Sequence, residues 1–287
     1  MRVRKAIFPA AGRGTRFLPV TKALPKEMLP LIDKPLIHYG IEEAVASGIK
    51  CIIIITGRGK TAIEDYFDVS YELEKLLEGR NKTDLLKMVR EISQLVEVSY
   101  IRQKSPRGVG HAVCIARELV GEEPFAVLFA DDIIEAPVPC IKQLIEVAER
   151  LKSPVLAIQQ IKREEASRYG IIQGEKIEDR LYRITDMVEK PSPQEAPSDL
   201  AIVGRYVLTP DLFPLLEKTL PDKSGEIQIT DGLRLLAQQT PIYGYQFQGT
   251  RYDAGSKVGF LKAMIQFALK HPEVGEEFRR YLKSLRL

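Results

Sequence analysis

A glycine-rich segment near the start of the chain combines residue types that can bind phosphate. Residues 9–19 read PAAGRGTRFLP and follow a short apolar run. Small residues such as Gly12 and Gly14 let a ligand approach the backbone, whose N–H groups can form an anion-binding concavity. The guanidinium of Arg16 can bind two phosphate oxygens at once. The two glycines alone fit a tight strand-to-helix turn equally well, but Arg16 and the residues after it favour a nucleotide-binding loop.

Two familiar phosphate-binding motifs do not fit this sequence. The dinucleotide fingerprint G-x-G-x-x-G requires glycine at its sixth position, where the chain has Phe17. A P-loop, G-x-x-x-x-G-K-S/T, finds its last three residues at 59–61, but Ile54 stands where the first glycine belongs. The loop at residues 9–19 is therefore predicted to bind nucleotide in another way.

Paired carboxylates follow a buried-type strand in the middle of the chain. Asp131 and Asp132 come directly after the apolar residues 125–130. Ligands of parallel sheets bind beyond the carboxyl ends of the strands, and Mg²⁺ typically takes one or two carboxylates together with phosphate oxygens. This position therefore predicts a magnesium site, although an aspartate in a turn or at a helix cap would give the same local pattern.

The elements that must position these groups alternate along the chain. Apolar, β-branched runs predict strands, and apolar residues at helical spacing predict helices between them. Such alternation implies right-handed βαβ crossovers, and we predict an α/β fold: a Rossmann-like, mostly parallel central sheet flanked by helices, with a small additional β element. The predicted strands lie at residues 6–8, 51–55, 96–101, 125–130, 155–159 and 201–208, and the main helices at 35–48, 141–148 and 260–269.

A charged segment interrupts this alternation. Residues 68–95 carry leucines at helical spacing, which predicts a helical insertion between two strands. Neither a repeat nor a composition change divides the chain, so residues 1–287 are predicted to form a single domain. The C-terminal helices, residues 257–287, are candidates for a contact between subunits.

Composition excludes several classes of protein. The 287 residues include 42 Lys+Arg and 39 Asp+Glu, a net charge of +3 that gives no basis for binding nucleic acid or a membrane surface. The 3 cysteines show no C-x-x-C spacing, so neither a disulfide framework nor a zinc site is expected. The N-terminus lacks the pattern of a signal peptide. We expect a soluble, reduced, cytoplasmic protein.

The motifs, taken in order along the chain, resemble those of the sugar-1-phosphate nucleotidylyltransferases. The resemblance covers nearly the whole sequence, which makes it far more specific than any single motif. The matching segments are residues 12–19, 25–30, 33–36, 57–60, 63–65, 102–104, 108–112, 131–133, 169–171, 187–191, 203–210, 225–231 and 251–253.

This resemblance implies a reaction and its partners. UTP and α-D-glucose 1-phosphate would be the substrates, UDP-glucose and pyrophosphate the products, and Mg²⁺ the cofactor, in a homodimer or homotetramer. A thymidylyltransferase or an enzyme for another sugar phosphate is the near alternative on the same fold. A catalytically silent homologue that senses nucleotide is the alternative from another class.

The resemblance also implies roles for individual residues. The catalytic cations would be Arg16, Lys26 and Lys190. Residues bound to the nucleotide would be Ala10, Ala11, Gly12, Gly14, Thr15, Arg16, Lys26, Glu27, Gln103 and Gly108. The sugar phosphate would contact Gly170, Glu189, Lys190 and Gly204. The metal would bind Asp131 and Asp253. Glu226 and Asp231 receive no catalytic role, because capping of the following helix explains them as well.

Overall fold

Within residues 1–285, which the computed structural model describes, nine strands form one central sheet with the order β5-β4-β1-β6-β11-β8-β12-β10-β9. Residues 286 and 287, the end of the predicted C-terminal segment, lie outside the described residues. The strands are β1 (Lys5–Pro9), β2 (Pro30–Leu31), β3 (Lys34–Pro35), β4 (Cys51–Thr56), β5 (Glu97–Arg102), β6 (Phe125–Leu128), β7 (Asp132–Glu135), β8 (Val155–Gln160), β9 (Gly170–Glu178), β10 (Leu181–Glu189), β11 (Leu200–Leu208), β12 (Tyr243–Gln246) and β13 (Thr250–Asp253).

The direction of the strands divides the sheet into two halves. Strands β5, β4, β1 and β6 are parallel to one another, as the alternation of elements predicts. Beyond β6 the sheet is mixed, because β11 runs antiparallel to both β6 and β8, and β10 runs antiparallel to β9 and β12. The α/β class is confirmed, and the expectation of a mostly parallel sheet holds for the first half. A tight connection through Asp179 and Arg180 makes β9 and β10 a hairpin, and such short connections require antiparallel strands.

Helices cover both faces of this sheet. They are α1 (Leu36–Ala46), α2 (Thr61–Phe67), α3 (Tyr71–Gly79), α4 (Thr83–Ser93), α5 (Val109–Cys114), α6 (Arg117–Val120), α7 (Cys140–Leu151), α8 (Phe213–Lys218), α9 (Ile229–Ala237), α10 (Lys257–Lys270) and α11 (Gly275–Ser284). Helices α3 and α4 occupy the charged segment between β4 and β5.

Two hydrophobic cores result from the alternation of side chains along the strands. In β1, Ala6 and Phe8 pack on one face with α1 and α7, whereas Ile7 packs on the other face with α5, α8 and α9. Because successive side chains of a strand point to opposite faces, a strand buried on both faces is apolar throughout. This explains why the isoleucines of β4 are continuous.

Two short antiparallel ladders lie outside the central sheet. Strand β2 pairs with β3, and β7 pairs with β13 so that Asp132 stands opposite Asp253. The second ladder brings a segment near the C-terminus to the carboxyl end of β6. It therefore joins two carboxylate-bearing segments that are far apart in the sequence.

None of the helices within residues 1–285 has the length and apolar character that crossing a bilayer requires.

Candidate active site

A cleft of about 700 Å³ opens at the carboxyl ends of β1 and β6. Its volume lies in the range of sites that hold small molecules. The predicted site residues that line it are Ala11, Gly12, Gly14, Thr15, Arg16, Lys26, Gln103, Gly108, Asp131, Gly170, Glu189, Lys190, Gly204 and Asp253. The fold thus brings residues from most of the chain to one place.

Ala10 and Glu27, which are also predicted to contact the nucleotide, do not line the cleft. Ala10 is fully buried, and its N–H donates to the carbonyl of Ile55 at 2.9 Å. Glu27 is also fully buried and accepts a hydrogen bond from Lys60 Nζ at 2.6 Å. Burial raises the pKa of the Glu27 carboxyl, and the charges of Lys26 and Lys60 oppose that rise. Glu27 therefore supports the segment that carries Lys26 from behind.

The loop after β1 has a left-handed turn that only glycine fits well. Gly14 has φ 65°, and a Cβ there would lie 3.1 Å from both Lys26 Cβ and Thr21 Cγ2. The Thr21 hydroxyl donates to the Gly14 carbonyl at 2.8 Å, and Arg16 donates to the carbonyl of Gly255 at 3.2 Å. The loop is thereby fixed on Lys26 at one side and on the segment after β13 at the other.

Lys26 and Asp131 form an ion pair inside the cleft. The Lys26 Nζ donates to Asp131 Oδ2 at 2.5 Å, and both side chains are mostly buried. Burial alone would lower the pKa of Lys26, but the charges of Asp131 and Glu27 outweigh it and raise that pKa. Burial would likewise raise the pKa of Asp131, and Lys26 reverses the direction. Both groups are therefore charged at neutral pH.

Asp131 and Asp253 converge beside Gly255. A Cβ on Gly255 would lie 2.7 Å from Asp131 Oδ2 and 3.2 Å from Asp253 Oδ1, so the two carboxylates flank one small space. Asp253 is paired with Arg168. Among the described residues no three His, Cys, Asp or Glu side chains form a metal-binding group. Two hard carboxylates beside the Lys26 and Arg168 side chains still fit Mg²⁺, which commonly takes its remaining ligands from phosphate and water.

Asp132 has a different environment from its neighbour. Its Oδ2 accepts the Gly204 N–H at 2.9 Å, and its Oδ1 accepts from the Arg251 Nε at 2.6 Å. Its carboxylate is thus committed to holding β11 and β13. This is consistent with the resemblance, which implies Asp131, and not Asp132, as a metal ligand.

Glu189 and Lys190 also line the cleft. Glu189 Oε2 accepts a hydrogen bond from the Thr230 hydroxyl at 2.6 Å, and its Oε1 lies 3.1 Å from Lys190 Nζ. Gly170 has no room for a side chain here, because a Cβ would lie 2.9 Å from the Thr230 hydroxyl. The Lys190 backbone adopts φ 46° and donates to the carbonyl of Tyr169 at 2.9 Å. A carboxylate and an ammonium are therefore presented side by side.

Gln103 and Gly108 lie next to each other in the lining of the cleft. The Gln103 amide nitrogen donates to the Gly108 carbonyl at 3.2 Å and contacts His111 Nδ1 at 2.7 Å. Burial and the charge of Arg107 lower the pKa of His111, so its ring is neutral and can accept. Because both contacts use the amide nitrogen of Gln103, they fix the orientation of its side chain, and its side-chain oxygen is the group that can accept a hydrogen bond from a ligand.

Several residues of the cleft were missed by sequence reasoning. The segment 225–231 contributes Glu226, Gln228 and Thr230, Arg168 comes from a 3-10 helix before β9, and Arg251 comes from β13. No side chain caps α9, whose N-cap residue is Gln228, so capping does not explain Glu226 or Asp231. The polar residues at 226, 228 and 230 alternate, and this period of two could have indicated one face turned towards a ligand.

The chain belongs to the nucleotidyl transferase family, whose sequence model matches residues 5–269. Over 285 residues, 99% of each chain, it is 50% identical to UTP–glucose-1-phosphate uridylyltransferase 1 of Staphylococcus saprophyticus. A crystal structure of UDP-glucose pyrophosphorylase complexed with UDP-glucose matches with a TM-score of 0.86 and 46% identity, over 94% of this chain and 100% of that one. A UTP-bound UGPase from Acinetobacter baumannii matches with a TM-score of 0.89 and 38% identity, over 99% and 100% of the two chains.

The crowding at Gly204 gives a prediction about stability. A Cβ at Gly204 would lie 2.5 Å from Asp132 Oδ2 and 2.6 Å from Phe129 Cβ, whereas a Cβ at Gly12 would have nothing within 4 Å. Gly204→Ala should therefore lower the free energy of unfolding by about 1–3 kcal/mol, as overpacking usually does. Gly12→Ala, from the same cleft, should leave it unchanged. Urea unfolding of both variants tests this, and equal midpoints would contradict the packing described at β11.

Proposed function

We propose that the chain transfers the uridylyl group of UTP to α-D-glucose 1-phosphate and releases pyrophosphate. The observation that carries the proposal is the cleft itself. The glycine-rich loop, the Lys26–Asp131 pair and the Glu189–Lys190 pair all line it. Likeness over nearly the whole chain to proteins named for UTP and glucose 1-phosphate supports the choice of substrates.

The chemistry of this reaction explains why the cleft is rich in cations. An oxygen of the sugar phosphate attacks the α-phosphorus of UTP in line with the departing pyrophosphate. That oxygen is already anionic, so the step needs no general base and no covalent intermediate. The obstacle is to bring two polyanions together and to stabilise the transferring phosphoryl group, which requires positioning and positive charge.

The residues of the cleft divide this work. Arg16, within the glycine-rich loop, and Lys26, next to that loop, would bind the triphosphate. Lys190 would neutralise the sugar phosphate. Glu189 would accept hydrogen bonds from sugar hydroxyls, because Thr230 fixes its orientation. Gly170 and Gly204 line the floor beside it, where the hexose would approach closely.

Mg²⁺ fits the two carboxylates beside Gly255. Asp131 and Asp253 would hold the ion, which supplies positive charge to the phosphate oxygens when bound. In the structure Lys26 and Arg168 pair with these same carboxylates. Both carboxylates therefore lie next to positively charged side chains. With substrate bound, these side chains and the metal would bind the same phosphate groups.

The near alternative on the same fold is a thymidylyltransferase or an enzyme for another sugar phosphate. Uracil and thymine differ by one methyl group, and such a group changes binding by only about 1–3 kcal/mol. Use of dTTP as a second substrate is consistent with the Gln103 and Gly108 side of the cleft. A silent nucleotide sensor is disfavoured, because Arg16, Lys26, Asp131, Lys190 and Asp253 are all present.

Pyrophosphate release tests the proposed function and its selectivity together. Purified protein with Mg²⁺ is given UTP or dTTP, each with glucose 1-phosphate or galactose 1-phosphate. We expect release with UTP and glucose 1-phosphate and little with the other pairs. A preference for another pair would overturn the choice of substrates, and no release by folded protein from any pair would favour the silent homologue.

Replacing Lys26 tests the cation next to the loop. Lys26→Ala should reduce kcat about 100- to 1,000-fold, the usual cost of one group that stabilises charge in a transition state. Lys218→Ala, at an exposed position of α8, is the matched control and should keep full activity. Unchanged turnover in the Lys26 variant would remove this residue from the mechanism.

Replacing Asp131 tests the metal site. Asp131→Asn should weaken the apparent affinity for Mg²⁺ at least about 10- to 100-fold, the cost already seen when a group that orients a metal ligand is lost. Asp84→Asn, at an exposed position in the first turn of α4, serves as the control. Titration of activity with Mg²⁺ gives both values, and full activity of the Asp131 variant at ordinary Mg²⁺ would contradict the assignment.

We also propose that the chain forms a homodimer or homotetramer through its C-terminal helices, and that it is cytoplasmic. Helix α10 exposes Val258 and Leu261, of which 64% and 59% are accessible, and α11 exposes Tyr281. Size-exclusion chromatography with light scattering should give at least twice the mass of one chain. A monomer at micromolar concentration would contradict this expectation.

A further inference from the structure

A buried arginine lies behind the cleft and contributes nothing to its lining. Arg205, on β11, is only 1% exposed. Its Nε and Nη2 donate to the Glu43 carboxylate at 3.0 and 2.8 Å. Its Nη1 donates to the Phe129 and Gly204 carbonyls at 3.0 Å each, and its Nη2 also donates to the Asp132 carbonyl at 2.7 Å. All three nitrogens of the guanidinium are therefore engaged.

The carbonyls that Arg205 binds have a particular place in the chain. Phe129 and Asp132 bracket the two-residue turn that contains Asp131. The Asp132 N–H closes the same turn by donating to the Phe129 carbonyl at 3.2 Å. Arg205 thus holds both ends of the turn whose side chain reaches Lys26.

Glu43 fixes the arginine in turn. It lies on α1, its side chain is 8% exposed, and it also accepts the Ile141 N–H at the start of α7 at 2.9 Å. The pair therefore joins α1, α7, β11 and the turn after β6. A planar guanidinium can bind a carboxylate and these three carbonyls at once, whereas a lysine ammonium is a compact charge that cannot span them.

We propose that the Glu43–Arg205 pair is a positioning pair that fixes Asp131 for the reaction. A buried ion pair adds little net stability over apolar residues of similar volume, because desolvation of the two charges offsets their attraction. Its value here is the placement of the Phe129–Asp132 turn. Since Asp131 contacts Lys26 and faces Asp253, an error of an ångström in the turn displaces the groups on which the transfer depends. The inference concerns the site of the proposed uridylyl transfer and rests on that function.

Three variants separate positioning from stability. Arg205→Lys keeps the positive charge but loses the grip on the turn. The double variant Arg205→Met with Glu43→Leu removes both charges, so neither is left buried without its partner. Arg150→Lys is the matched control, because Arg150 makes an equally bidentate pair with Glu178, at 3.0 and 2.8 Å, on the exposed surface away from the cleft.

The measurements are kcat, KM for UTP, the thermal midpoint, and binding of Mn²⁺ by electron paramagnetic resonance in the presence of UDP-glucose. We expect Arg205→Lys and the folded double variant to lose about 10- to 100-fold in kcat, the scale of loss for an ångström of misplacement. Their Mn²⁺ affinity should also fall at least about threefold, and KM for UTP should stay within about threefold of wild type. The Arg150 control should match wild type in every measurement.

Two results would overturn the inference. One is a folded Arg205→Lys or double variant with wild-type kcat and wild-type Mn²⁺ affinity. The other is a loss of kcat that follows the thermal midpoint and is matched by an equal loss of UTP affinity, since that pattern indicates general loosening of the fold. A wild-type protein that makes no UDP-glucose would overturn the proposed function alone, and Mn²⁺ binding by the variants would then decide the role of the pair.

Discussion

The ion pair between Lys26 and Asp131 joins two segments of the cleft that are 105 residues apart in the sequence. Strand β1 lies beside β6 in the parallel half of the sheet, so the loops that follow both strands open at the same edge. A charged side chain that is mostly buried is destabilising unless it pairs with a side chain of opposite charge. The lysine segment and the aspartate turn must therefore stay together, and the other contacts of the cleft are built around them.

Four acidic groups of the cleft have a basic partner within the protein. Asp131 pairs with Lys26, Asp253 with Arg168, Asp132 with Arg251, and Glu189 with Lys190. This arrangement keeps the charges in place before any substrate arrives. Phosphate groups can then take over cations that are already positioned, which lowers the reorganisation that the reaction requires.

Much of the parallel half of the sheet could be predicted from the sequence, because β1, β4 and β6 are buried on both faces and are therefore apolar throughout. In the mixed half, β8 and β11 could also be predicted from their apolar runs, but the hairpin of β9 and β10 and strand β12 could not. Strands β9 and β10 carry exposed polar residues, and their pairing depends on a hairpin that has no glycine in its two central positions. The additional ladder of β7 with β13 is set by contacts across more than 100 residues, which no local pattern records.

The site shows the same division. The glycine-rich loop, Lys26 and Asp131 could be singled out because their motifs are contiguous, and all of them line the cleft. The burial of Glu27 could not be predicted, because its position next to Lys26 does not reveal which side of the segment faces the cleft. Thr230, Arg168 and Arg205 act through partners that are distant in the sequence, so only the folded chain brings their roles into view.

A crystal structure of the protein with UDP-glucose and Mg²⁺ tests the central claim most directly, since the claim is that one cleft holds both phosphates and the metal. The account predicts Mg²⁺ within about 2.1 Å of an oxygen of Asp131 and of Asp253, with the diphosphate between Lys26 and Lys190. A metal bound away from both aspartates, or a diphosphate outside this cleft, would contradict it.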